Sequence, residues 1–202
     1  MSTPPNPEHV LKLKKGVETW NSWRTLHPEE QPRLRGVNLR HKVLAQINLR
    51  GADLYTASFW KANLDNADLR DADLSSATLN GVSLRNADLR GANLRFARMV
   101  GADVSDAKFS GCHVYGCSIW NLHGQAREQF DVVVTPPSEP QVLVDDLQVA
   151  QFIYLLLNNK NIRDVIETIG HKGVLILGRF TPERNRCLTR FGVVYARRAL
   201  CL

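Results

Sequence analysis

The sequence predicts an all-β solenoid between a helical N-terminal cap and a mostly helical C-terminal segment that contains one short strand. Three observations carry the prediction. From residue 37 to 121 a large apolar residue recurs at every fifth position: Leu39, Leu44, Leu49, Leu54, Phe59 and onward to Phe109, Val114 and Ile119. Two positions earlier most units place a small residue, as at Ala52, Ala62, Ala72, Ala92, Cys112 and Cys117. Between the pair sits a small polar residue, as in Ala52-Asp53-Leu54 and Ala62-Asn63-Leu64. A helix cannot use this period, since five residues advance about 500° and would step successive leucines about 140° around the axis. A flat strand cannot either, because an odd spacing sends side chains to alternating faces. A chain that turns one corner every five residues keeps the large residue i and the small residue i−2 both inside.

These residues resemble the pentapeptide-repeat family. The resemblance covers 17 consecutive units, 85 of the 202 residues. It implies a right-handed quadrilateral β-helix, hence about four coils over residues 37–121 and a rod roughly 20 Å long at ~4.8 Å per coil. Residues twenty apart then stack. One interior column holds Leu49, Leu69, Leu89 and Phe109; another holds Leu39, Phe59, Leu79, Met99 and Ile119. Lys42 breaks the small-residue rule, so the first coil is expected to be irregular.

Residues 1–36 precede the repeats. Asn6-Pro7-Glu8 supplies a capping residue, a first-turn proline and a first-turn acid. Val10, Leu13, Val17, Trp20 and Trp23 follow at helical spacing, with Leu26 beyond. One helix is expected to run to Arg24, with His27-Pro28 ending it. A solenoid leaves unpaired edges at its ends, so this helix reads as the N-terminal cap. The stretch from Pro7 to Arg24 is also similar to lead-in helices that precede pentapeptide repeats in bacterial proteins.

After Asn121 the five-residue register is lost from the sequence. Residues 122–141 read as an exit segment and a proline-rich linker containing Pro136, Pro137 and Pro140. Residues 142–202 read as an apolar helix from Val144 to Leu157, a second helix from Ile162 to Ile169, an apolar strand from Val174 to Leu177, and a helix start at Thr181-Pro182-Glu183. The strand, Gly178-Arg179-Phe180 and helix start resemble the opening of a Toll/interleukin-receptor-like or nucleotide-fold domain. Such a domain needs on the order of 100–150 residues, and 24 follow Gly178, so the resemblance implies a shortened or truncated one.

The net charge of +6 is spread evenly. Residues 1–36 carry 6 basic and 4 acidic side chains, residues 37–121 carry 10 and 8, and residues 122–202 carry 10 and 8. Neither a nucleic-acid-binding stripe nor a DNA-like acidic surface follows from that balance. The sequence has no apolar run long enough to span a membrane and no leader pattern. Cys112 and Cys117 fall on interior i−2 positions as inert thiols, with His113 pointing outward beside them; this fits a reducing cytoplasm and gives no metal site. No nucleophile has a base and an orienter at a recognisable spacing, so no catalytic residue and no cofactor are assigned.

The candidate residues therefore lie on the outward faces. Arg50, Arg70 and Arg90 stack beside Asn48, Asp68, Asp88 and Lys108, either as a self-neutralising ladder or as a docking surface. Asp53, Asp73, Asn93 and His113 occupy a neighbouring, more acidic face. Trp60, Val100 and Trp120 share another, where exposed tryptophan points to a cover: first the chain's own flanking segments, then a foreign partner. The leading expectation is a non-catalytic scaffold that binds a protein partner. The alternatives are a DNA-mimicking topoisomerase-binding protein, which the family resemblance allows, and a remnant of a signalling protein with a nucleotide-fold domain. The apolar C-terminal segment is expected to be covered by the solenoid end or by a second copy of the chain, the latter giving a homodimer.

Overall fold

In a computed structural model, which describes residues 4–159 and 161, the backbone pairs with itself at intervals of twenty. Parallel bridges join Arg33 to Asp53, Asp53 to Asp73, Asp73 to Asn93, Asn93 to His113 and His113 to Val133. Three further columns run parallel to this one, through Asn38 and Ser58, through Val43 and Asn63, and through Asn48 and Asp68. The four columns are the four faces of a β-helix, named below by Asp53, Ser58, Asn63 and Asn48. Each face is one bridge wide because the chain is extended for only about three residues before it turns. Its ladder is nonetheless complete: Leu49 N donates to Asp68 O (2.8 Å), Asp68 N to Ile47 O (2.9 Å) and Gly51 N to Arg70 O (2.8 Å).

The corners explain the period. At Leu49-Arg50-Gly51-Ala52, Ala52 N donates to Leu49 O (3.0 Å) and Gly51 has φ 64°. A four-residue turn with positive φ at its third position only is a type II turn. The equivalent residue has positive φ at every corner from Gly36 to Asn121. Glycine, asparagine and aspartate, which tolerate that conformation, fill most of these corners. His41, Gln46, Thr56, Lys61, Ser76 and Phe96 do not belong to that group, yet adopt it. The ladder hydrogen bonds on either side hold them there.

The interior columns are as the spacing predicts. Leu49, Leu69, Leu89 and Phe109 are buried, as are Leu39, Phe59, Leu79, Met99 and Ile119. Two boundaries differ. The bridges begin at Arg33 and continue to Val133, past both ends of residues 37–121. Gly124 and Gln129 stand where large apolar residues would keep the sequence pattern visible; the backbone holds its register across them, and Val132 and Val134 return to the interior. Lys42 does not disturb the first coil either. Its side chain is exposed while its carbonyl accepts from Asn63 N (2.9 Å) in register.

The N-terminal segment forms two helices where the sequence suggests one: α1 (Pro7–Lys14) and α2 (Val17–Leu26). Gly16, at φ 112° and ψ 170°, lies outside helical space and separates them. The apolar stripe divides accordingly, with Leu13, Trp20 and Trp23 buried and Leu26 76% exposed. These helices satisfy the open edge of the first coil. Trp20 Nε1 donates to Asn48 O (2.7 Å), Asn21 Nδ2 to Gln46 O (2.9 Å), and Asn48 N donates to Asn21 Oδ1 (2.9 Å). Those groups have no coil before them to pair with, and a buried unpaired backbone group is costly.

At the other end, β1 (Val132–Val133) pairs antiparallel with β2 (Leu143–Val144). The proline-rich stretch is thus the loop of a hairpin, tied by Val142 N to Thr135 Oγ1 (3.2 Å). Helix α3 (Leu147–Asn158) starts three residues later than Val144, because Asp146 caps it and accepts from Gln148 N and Val149 N (2.8 and 2.9 Å). Val144 is held in the hairpin instead. Leu147, Ala150 and Gln151 of α3 are buried, and Ile119 N donates to Gln151 Oε1 (2.8 Å). The expected helix at 162–169, the strand at 174–177 and the helix from Thr181 lie outside the described residues. Among the described residues no helix is long and apolar enough to cross a membrane.

Candidate interaction surface

Outward side chains come from three positions of each unit: i−1 and i+1 on the face, and i+2 at the corner. With a period of twenty, each forms a column. On the Asn48 face the columns place Arg70 and Arg90 beside Asp68 and Asp88, as the sequence suggests. Each arginine forks its own neighbour: Arg70 holds Asp68 at 2.8 and 2.6 Å, and Arg90 holds Asp88 at 2.9 and 2.6 Å. Arg70 also reaches Asp88 at 3.7 Å, linking two coils, and Arg50 lies 3.6 Å from Asp71. The hydrogen bonds that Arg70 donates to Asp68 raise the Arg70 pKa. Burial pushes the Asp88 carboxyl up, but the Arg90 fork and backbone N–H outweigh it, so the net direction is down. These are mutually neutralised, partly exposed pairs.

The edge of this face is joined to the cap by Arg24, which is 5% exposed. Its guanidinium donates to His27 O (3.2 Å), Glu30 O (2.6 Å) and Arg50 O (3.1 Å), and burial lowers its pKa. His9, also buried, accepts from Arg33 N (3.0 Å) and contacts Glu30 (2.8 Å). Sequence reading passed over both, because each sits inside a helical stripe whose apolar members carry the pattern.

Trp60 and Trp120 share the Ser58 face, and their environments differ. Trp60 is partly covered by neighbours on the solenoid itself: the Arg40 guanidinium lies 4.5 Å from its ring centre, Lys61 Nζ 5.0 Å, and the His41 ring packs edge-on at 4.7 Å. Trp120 is 50% exposed, and Val100 between them is exposed too. All eight acidic residues of 37–121, namely Asp53, Asp65, Asp68, Asp71, Asp73, Asp88, Asp103 and Asp106, fall on the other three faces or their corners. That sorting is visible only once the columns are known.

On the Asp53 face, Asn93 Nδ2 donates to Asp73 (2.9 Å) and Arg95 Nη2 meets His113 Nδ1 (2.8 Å). Burial, then Arg95, lowers the His113 pKa. Cys112 and Cys117 are free and buried. Burial raises both thiol pKa values, that of Cys117 to about 12, which removes the thiolate on which reactivity depends. Among the described residues no cluster of His, Cys, Asp and Glu is placed to hold a metal ion.

Residues 33–71 and 72–111 match the family model described as pentapeptide repeats, in 8 copies. Comparison with curated proteins finds no match. Among solved structures the chain is similar to HetL, a pentapeptide repeat protein involved in heterocyst differentiation regulation from the cyanobacterium Nostoc sp. strain PCC 7120. That match has 28% identity, covers 50% of this chain and 44% of HetL, and has a TM-score of 0.40. Rfr23 from the cyanobacterium Cyanothece 51142 is 25% identical over 46% of this chain and 80% of its own, with a TM-score of 0.27. A pentapeptide repeat protein of the Arabidopsis thaliana thylakoid lumen is 24% identical over 67% and 87%, with a TM-score of 0.28. This chain thus spans less than half the length of HetL. Residues 33–111 of this chain are therefore pentapeptide repeats, and the four-sided β-helix described above is what they build.

Proposed function

We propose that this protein is a non-catalytic scaffold whose solenoid faces bind a protein partner. The observation that carries the reading is the stacking of outward side chains in fixed columns on a continuous backbone ladder, as in Asn48, Asp68, Asp88 and Lys108. A surface held in this way loses little conformational freedom on binding, which favours recognition of another preformed surface. Two concavities among the described residues are open, one beside α3 at Tyr154 and Asn158 and one between α2 and the Asn48 face at Arg24 and Asp71. Neither sets a nucleophile against a base, which supports binding over turnover. Affinity capture with the full chain from its native cells, followed by calorimetry against the purified captured protein, tests the reading. A stoichiometric complex is expected. Failure of any captured protein to bind the purified chain, or reproducible turnover of a small-molecule substrate abolished by one substitution, overturns it.

A further inference from the structure

The Ser58 face differs in charge from the rest of the rod. It carries Arg40, Lys61 and Arg98, with Lys42 exposed just past its first corner, and no acid. On the other faces Arg35, Arg50, Arg70, Arg85, Arg90 and Lys108 each have a carboxylate within 4.0 Å. Among the described residues none of Arg40, Lys61, Arg98 and Lys42 has one. The Arg98 guanidinium donates to Thr78 Oγ1 (2.9 Å), and Arg40 and Lys61 lie against Trp60. Like charges gathered on one flat sheet repel one another, and no carboxylate among the described residues relieves them. The far half of the same face is apolar, with Val100 and the half-exposed Trp120.

We propose that the Ser58 face docks an acidic segment of a protein partner, its carboxylates over Arg40, Lys42, Lys61 and Arg98 and an apolar side chain over Val100 and Trp120. The proposal rests on the scaffold reading and names the face and the partner chemistry. Column distances set the length. Arg40 to Trp120 spans four coil steps, about 19 Å at ~4.8 Å each, which an extended segment of about six residues covers. A nucleic acid suits the face less well. Both neighbouring faces present acids, Asp53 and Asp73 on one side, Asp65 and Asp103 on the other, whereas a polyphosphate chain draws its affinity from a broad positive field.

The probe is a fluorescein-labelled eight-residue peptide with four carboxylates followed by phenylalanine and leucine, titrated into the full chain. The rivals are a twelve-nucleotide oligothymidylate and phosphatidylserine vesicles. Peptide binding is expected to weaken at least about fivefold in Lys61→Glu/Arg98→Glu, and to fall with added salt. Trp120→Ser is expected to weaken it without changing the salt dependence, while Arg85→Glu on the Asn63 face leaves it unchanged. Circular dichroism confirms that each variant is folded, since all these side chains point outward. No peptide binding up to about 1 mM, equal binding by the double variant, or tighter binding of the oligonucleotide or vesicles overturns the proposal. A native partner captured equally well by Lys61→Glu/Arg98→Glu overturns this face and leaves the scaffold reading standing.

Discussion

The Phe96 ring occupies the space that a side chain on Gly116 would need: a Cβ there would stand 2.5 Å from Phe96 Cδ1. The two residues stack one coil apart at the same corner, and both have positive φ, 58° and 72°. Phe96 packs edge-on against Tyr115 (5.5 Å between ring centres), which packs edge-on against Tyr154 of α3 (5.2 Å). The glycine thus lets one aromatic chain connect the fourth coil to the C-terminal helix. Gly116→Ala should destabilise the protein by about 1–3 kcal/mol, through overpacking and the strained corner. Phe96→Ser in the same chain should recover part of that loss. A double-mutant cycle from thermal melts measures the coupling, and additive effects would contradict the contact.

Leu69 and Leu89 share one fully buried column. Leu69→Asp or Leu89→Asp should unfold the rod cooperatively, because an unpaired buried charge costs several kcal/mol against a total stability of about 5–15 kcal/mol. Circular dichroism and the melting midpoint report the outcome. Retention of both would contradict the inward assignment.

Thr56 is a β-branched residue at φ 58°. Left-handed backbone costs an ordinary residue about 1–2 kcal/mol, and asparagine less. Thr56→Asn should therefore stabilise by about 0.5–1 kcal/mol even after losing the hydroxyl bond to Tyr55 O (2.6 Å). The urea midpoint should rise.

His113 has its pKa lowered in the folded chain, by burial and then by Arg95. The unfolded chain therefore binds the proton more readily, and stability should fall as pH drops through the ordinary histidine value. Melting followed from about pH 7.5 to about pH 5.5 should show a smaller decline in His113→Asn. The lowered Asp88 pKa acts in the same direction but only as pH falls through the carboxylate range.

The interior was legible in the sequence because burial fixes it residue by residue: Leu49, Leu69 and Leu89 repeat at a single spacing. The ends were less legible. Gly124 and Gln129 remove the apolar signal while backbone bonds from His123 and Glu128 to Ala102 O and Ala107 O keep the coil going. Gly16 was hidden inside a continuous apolar stripe, where spacing outweighs one backbone break. On the surface, Arg70 and Asp68 could be placed side by side from the period. Their mutual forks, and the cover that Arg40 and Lys61 give Trp60, depend on side-chain directions that spacing does not determine.

The twenty-residue bridge period also sets rules for insertion and deletion. Four added units lengthen the rod by one coil and leave every downstream side chain on its own face. A single added unit turns everything beyond it by one side, so Val100 and Trp120 would leave the side that bears Arg40 and Trp60. The interior would barely register that change, since every side accepts the same large and small residues. Surfaces on this framework can thus be recombined by quarter turns while the core stays indifferent.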